Sequence, residues 1–233
     1  MFIAKHNTHA FPKGDTSYLK DFDIERYGKK YWIYKTENGH GLFGVIRHVN
    51  KDGSKRIFQF SYDGEKFINK SKHITNRPLL NAHLLKDLPK DTPILIPEGE
   101  KCKDACADIF QEYFVTTWSG GCSNYKKTDW SILKGFTNIT LLPDADVGGV
   151  QAAEEISWLL DEKYNTQAKV VNLPSYLEAG WDFADEIPQK LNPQQLLAEA
   201  QVPPKRTGWE DIDSDIENNR WVFIADSMKL YWW

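Results

Sequence analysis

Two stretches decide how this chain folds: Ile94-Leu95-Ile96-Pro97-Glu98-Gly99-Glu100-Lys101, and Leu141-Leu142-Pro143-Asp144-Ala145-Asp146-Val147-Gly148-Gly149. Each is a short apolar run that stops abruptly at carboxylates and glycine, the texture of a buried strand followed by a turn into a helix. Lys101 to Gln111 supplies the first helix, with Cys102, Ala105, Cys106, Ile109 and Phe110 spaced to share one face. Phe114 to Trp118 and Ile139 to Leu142 read as further strands, Val150 to Tyr164 as a longer amphipathic helix and Lys169 to Leu173 as a fourth strand. Strand and helix in alternation predict an α/β unit with a mainly parallel sheet and flanking helices over residues 93–200.

Upstream the rhythm differs. Tyr31 to Tyr34, Leu42 to Val49 and Arg56 to Tyr62 are strand-like, and Asn38-Gly39, Asp52-Gly53 and Asp63-Gly64 are dipeptides that favour tight reversals. Residues 30–92 therefore read as a small antiparallel β-rich subdomain, with Arg47, Lys51, Lys55, Arg56 and Lys66 on one face or its turns. Residues 1–29 read as a lead-in without periodicity. Residues 201–233 read as a linker, with Pro203-Pro204 and the acidic run Glu210 to Glu217, leading into the start of a further domain.

Charge follows the same division. The 233 residues carry a net charge of −4, yet residues 1–92 hold 17 Lys+Arg against 10 Asp+Glu, and residues 93–233 hold 12 against 23. A basic half beside an acidic half fits a polyanion surface next to a carboxylate site, although two solvated surfaces would look the same. No apolar run reaches the length of a membrane span, and no signal-peptide stretch opens the chain. Three cysteines are too few for a disulfide framework, so a reducing, cytoplasmic setting is expected.

The carboxylates carry the chemistry. Strands of a parallel sheet release their carboxyl ends at one edge, and neighbouring strands are about 4.8 Å apart. If the two quoted strands are neighbours, Glu98, Asp144 and Asp146 can reach one hard cation. Mg²⁺ needs only two or three carboxylates, because it keeps several waters and takes oxygens at about 2.1 Å. Gly99 and Gly149 follow the acids where the chain turns into a helix, and neither adds a side chain that would crowd a phosphate. The competing reading is that Asp144 and Asp146 cap the following helix.

These residues, in this order, resemble the Toprim domain. Glu98-Gly99 after one strand and Asp144-x-Asp146-x-x-Gly149 after a later one carry the likeness. With Thr117-Trp118-Ser119-Gly120-Gly121, Lys127-Thr128-Asp129-Trp130 and Gly180-Trp181-Asp182-Phe183-Ala184-Asp185, the set is similar to the Toprim region of phage- and plasmid-type DNA primases and primase-helicases. The similarity spans roughly residues 30 to 200. It implies that Glu98 acts in proton transfer or metal contact, that Asp144 and Asp146 bind Mg²⁺ or Mn²⁺, and that Asp182 and Asp185 assist a possible second metal. Lys126 and Lys127 beyond the Gly120-Gly121 loop become candidates for phosphate contact. Lys101 is a candidate too, or else a solvated helix lysine.

The chain departs from those proteins in having no zinc ribbon. Cys102 and Cys106 lie on the apolar helix face and read as core, so no zinc is expected. No Walker A motif is present either. The expected activity is metal-dependent phosphoryl transfer on nucleic acid, above all primer synthesis in the replication of a mobile element. A Mg²⁺-dependent nuclease and a non-catalytic nucleic-acid-binding module are the alternatives. Expected partners are a single-stranded DNA template, nucleotides and a replicative helicase, with Arg47, Lys55 and Arg56 on the template phosphates. Tyr31, Trp32 and Phe58 either stack on bases or pack the core of the small sheet.

Overall fold

Apolar residues alternate along the central strands in a way that buries both faces of one sheet. In the structure, a computed structural model, β5 (Ile94–Pro97), β6 (Phe114–Val115), β7 (Ile139–Leu142) and β8 (Ala168–Val170) form a parallel sheet in the order β6-β5-β7-β8. Ile94, Ile96, Ile139 and Leu141 point to one side, where they meet Trp118, Trp130 and α3 (Val147–Tyr164) through Ala152, Ala153, Ile156 and Leu160. Leu95, Val115 and Leu142 point to the other side and meet Cys102, Cys106 and Phe110 of α2 (Glu100–Ile109) and its C-terminal cap. Trp181, Phe183 and α4 (Pro193–Ala198) close that second core. A sheet covered on both faces needs central strands that are largely apolar, and in β5 and β7 Thr140 is the one polar residue.

The structure describes residues 10–12, 30–50, 52–71 and 73–204, together with the backbone of residues 221–224 and 229–232. Most of the 1–29 segment, Lys51 and the acidic run 210–217 lie outside the described residues. Phe11 is an exception within the lead-in: it is buried, donates its N–H to the Gly41 carbonyl at 2.6 Å and stacks near Phe60 and Phe67. That short piece is thus fastened to the sheet.

The basic segment is antiparallel as expected, in the order β1 (Lys30–Lys35), β2 (Gly41–Val49), β3 (Lys55–Tyr62), β4 (Phe67–Ile68). Its connection to the α/β part runs through the single turn α1 (Ala82–Leu85) and the buried Arg77. The Arg77 guanidinium donates to Gln59 Oε1, Ser119 Oγ, the Ile74 and Ser71 carbonyls and Ser71 Oγ, and it lies over the Phe43 ring. Its donors are fully used, so it serves as a rivet between the two sheets rather than as a ligand group. Residues up to Val202 make one unit, and Pro203–Trp233 make another. In the second, β9 (Trp221–Ile224) and β10 (Lys229–Trp232) form an antiparallel hairpin. Among the described residues no helix is long and apolar enough to cross a membrane.

Candidate active site

β5 and β7 are direct neighbours, with Pro97 opposite Leu142. The pairing continues one step further, because the Glu98 N–H donates to the Leu142 carbonyl at 3.1 Å. Glu98 and Asp144 therefore leave the sheet side by side. Gly99 turns the chain from β5 into α2 with φ 82° and ψ 155°, a conformation closed to residues with a Cβ. Asp146 is the N-cap of α3, and its Oδ1 accepts from the Gly149 N–H at 2.7 Å. The capping role is thus real for Asp146, and it occupies one of the two carboxylate oxygens.

Glu98 Oε2 and Asp144 Oδ1 are buried without a hydrogen-bond partner among the described residues. Orphaned carboxylate oxygens are costly, and a site that keeps two of them side by side calls for a cation. Burial, then the charges of Glu98, Asp182, Asp146 and Asp185, push the Asp144 carboxyl up to about 8. Burial also raises Glu98; the Cys122 backbone N–H works against that shift, and Asp146 adds to it. Among the described residues no three His, Cys, Asp or Glu side chains converge into a ready coordination shell. What fits a hard divalent ion is the pair of unsatisfied carboxylate oxygens.

Asp182 and Asp185 come to the same edge from the loop after β8, but they bring their own counter-ion. Lys101 Nζ lies 3.1 Å from Asp185 Oδ1 and 3.9 Å from Asp182 Oδ1. Burial pushes Asp185 up, yet the Lys101 hydrogen bond, the Asp182 N–H and the Lys101 and Lys55 charges outweigh it and hold the carboxyl below its ordinary value. The single ammonium of Lys101 thus offsets part of the charge of this second pair, Asp185 foremost.

The basic sheet forms the opposite wall. A cleft of about 180 Å³ lies between Trp32, Arg47 and Ile57 on one side and Glu98, Glu100, Asp144 and Asp182 on the other. Strand pairing explains the arrangement: Arg47 stands opposite both Lys30 and Ile57, and Lys55 stands opposite Val49, all on one face. Arg56 pairs with His48 on the other face, so the three cations expected on template phosphates do not form one row. Lys126 and Lys127 sit on the 3₁₀ segment Cys122–Lys127 and do not line the cleft. Lys126 lies 5.5 Å from the Tyr125 ring centroid, and Lys127 Nζ donates to Asn124 Oδ1. Gly120 and Gly121 both adopt positive φ, and Gly121 lines the cleft beside Glu98.

The docking of this wall is not apparent from the motifs. Tyr34 Oη donates to Glu100 Oε1 at 2.8 Å, Trp32 Nε1 donates to Asp104 Oδ2 at 2.9 Å, and Lys30 Nζ lies 3.1 Å from Asp104 Oδ2. Alternate residues of β1 thus meet acids one turn apart on α2. That spacing of 30, 32 and 34 against 100 and 104 is the one signal the sequence holds. Trp32 and Phe58 pack in cores, whereas Tyr31 is partly exposed on the far face.

No family model matches the chain, and no curated protein does. Among solved structures it is similar to the primase fragment of the bacteriophage T7 primase-helicase protein, at 24% identity and TM-score 0.44 over 62% of this chain and 52% of that one. It is also similar to the E. coli primase catalytic core, at 14% identity and TM-score 0.47 over 81% and 56%. The RNA polymerase domain of Mycobacterium tuberculosis primase DnaG, in complex with double-stranded DNA, matches at 16% and 0.45 over 76% and 55%. The chain spans about half the length of the structures it matches.

Proposed function

We propose that this chain carries the catalytic site of a metal-dependent nucleotidyltransferase that builds primers on single-stranded DNA. The observation behind this reading is the pair of buried, unpartnered oxygens, Glu98 Oε2 and Asp144 Oδ1, of residues that line one cleft with Arg47 of the sheet. Asp144, and Asp146 through Oδ2, would hold Mg²⁺ or Mn²⁺, which would bind nucleotide phosphates and make a 3′-hydroxyl more acidic. The residues of the chain do the rest. Glu98, raised above its ordinary value, is suited to hold the proton of the attacking hydroxyl at Oε2. Arg47 in the cleft, and Lys55 further along the same sheet face, bind the polyanion. Lys101 offsets part of the negative charge that Asp182 and Asp185 would otherwise add beside the incoming phosphates. A template strand, nucleotides and a replicative helicase are the partners this reading requires.

The test is incubation with single-stranded DNA, four ribonucleotides and Mg²⁺ or Mn²⁺, comparing the wild type with Glu98→Gln. New primers from the wild type, none from Glu98→Gln, and equal DNA affinity for both support the assignment. A template that shortens while no primer appears would replace transfer with hydrolysis. Equal loss of activity and DNA affinity would remove Glu98 from the chemistry.

A further inference from the structure

A second, larger cavity opens beside the carboxylates. It has a volume of about 500 Å³ and is walled by residues 176–181 and 185–190, with Tyr176, Trp181, Ile187 and Lys190 contributing ring and apolar surface. The size lies within the range of small-ligand pockets, about 300–1,000 Å³. Its wall is stitched to the turn between the two aspartates of the candidate site. The Ala145 N–H donates to the Trp181 carbonyl and the Gly180 N–H donates to the Ala145 carbonyl, both at 2.9 Å. Trp181 is itself fixed, because its Nε1 donates to the Glu186 carbonyl at 3.0 Å. Asp185 lines this cavity and also accepts from Lys101, whose stem borders the carboxylate cleft. The two spaces are therefore linked by the Lys101–Asp185 pair and by the hydrogen bonds of Ala145, the neighbour of Asp144.

Charge decides what enters. Among the described residues, Glu178, Asp185 and Glu186 line the cavity against Lys190 as its one cation. Such a lining repels phosphate but accepts hydrogen bonds from hydroxyl and amino groups. Tyr176 offers a ring that is 43% exposed and already holds the Lys190 ammonium 3.5 Å from its centroid. An aromatic face, carboxylate acceptors and no welcome for phosphate match the uncharged end of a nucleotide. We propose that this cavity receives the base and ribose of a nucleoside triphosphate whose phosphates lie at the Glu98–Asp144–Asp146 edge. The proposal rests on the nucleotidyltransferase reading and adds to it the place where the nucleoside is held.

The test uses the full chain with Mn²⁺ and two probes, 2-aminopurine riboside triphosphate followed by fluorescence and inorganic tripolyphosphate followed by calorimetry. Tyr176 is exposed, so Tyr176→Ala leaves the fold intact. The expected result is about tenfold weaker binding of the nucleotide by Tyr176→Ala, near-wild-type binding by Tyr176→Phe and unchanged tripolyphosphate binding by both. Unchanged nucleotide affinity in Tyr176→Ala, or parallel weakening of both probes, overturns the proposal while leaving the nucleotidyltransferase reading in place. A wild type that binds neither probe overturns both.

Discussion

Gly149 packs against Asp144 so closely that a Cβ added to it would lie 2.8 Å from the Asp144 carbonyl oxygen, 2.9 Å from the Asp144 nitrogen and 3.1 Å from Glu98 Oε2. The first turn of α3 thus rests directly on the backbone that carries a proposed metal ligand. In an ordinary helix, Gly→Ala would help by about 1 kcal/mol. Here the clash is with backbone, which cannot rotate away, and overpacking costs about 1–3 kcal/mol. Gly149→Ala is expected to lower the melting temperature and to weaken divalent-ion binding together. A variant as stable as the wild type, measured by thermal unfolding, would show that α3 can slide without cost.

Asp144 gives the site a pH dependence whose sign differs from that of an ordinary carboxylate. Its folded value, about 8, lies above its unfolded one, so the folded state holds a proton that the unfolded chain releases. Without a divalent ion, this group contributes stability that is fully present below its unfolded value and is lost as pH rises from the ordinary carboxylate range through about 8. Binding of the ion must displace that proton, so affinity for Mg²⁺ is expected to rise about tenfold per pH unit up to about 8 and then level off. Calorimetric titrations in buffers of different ionisation enthalpy will report one proton released per ion at neutral pH. Proton-neutral binding would mean that the ion avoids Asp144.

The carboxylate edge is legible in the sequence because strand ends, turn glycines and acids stand together in a few residues: Glu98-Gly99 and Asp144-x-Asp146 name their own location once β5 and β7 are placed. The parallel sheet is equally legible, since Ile94 to Ile96 and, apart from Thr140, Ile139 to Leu142 are apolar. Boundaries are harder: β6 ends at Val115 rather than Trp118, while Thr116 still donates to the Leu95 carbonyl. What local sequence cannot show is which long-range partner satisfies a polar group. Lys101 going to Asp185, Tyr34 to Glu100 and Arg77 to Ser119 each span dozens of residues. The split of Arg56 from Arg47 and Lys55 depends on strand register, which shifts every side chain to the other face with a slip of one.

That register puts the neighbours Lys55 and Arg56 on opposite faces of the sheet. Lys55 shares the face of Arg47 and acts electrostatically on Asp185, whereas Arg56 faces away beside His48. Lys55→Ala is expected to weaken single-stranded DNA binding and to reduce the slope of log affinity against log salt by about 1. Arg56→Ala is expected to leave the slope unchanged. Binding isotherms over a range of salt concentrations decide the matter, and a reversed ranking would put the nucleic acid on the outer face of the sheet.

The hydrogen bond from Tyr34 to Glu100 joins the cationic wall to the helix that follows Glu98, and both residues are buried. Tyr34→Phe keeps the stacking on Phe43, whose ring centroid lies 4.4 Å away, so packing is preserved and only the hydroxyl is lost. Glu100 Oε1 then stays buried without its donor, at a cost of about 1–3 kcal/mol. Burial already holds the Glu100 carboxyl above its ordinary value, and the Tyr34 hydroxyl is one of the groups that hold it down. Removing that hydroxyl raises the carboxyl further. Because the cost is that of an orphaned acceptor, replacing the acceptor as well should recover most of it. Tyr34→Phe/Glu100→Met is therefore expected to be more stable than Tyr34→Phe alone, by thermal unfolding. The single variant should also bind DNA more weakly, since Arg47 and Lys55 are carried on the sheet that β1 docks. If the double variant is less stable than the single one, Glu100 contributes through partners other than Tyr34, and the docking strand does not hang on this bond.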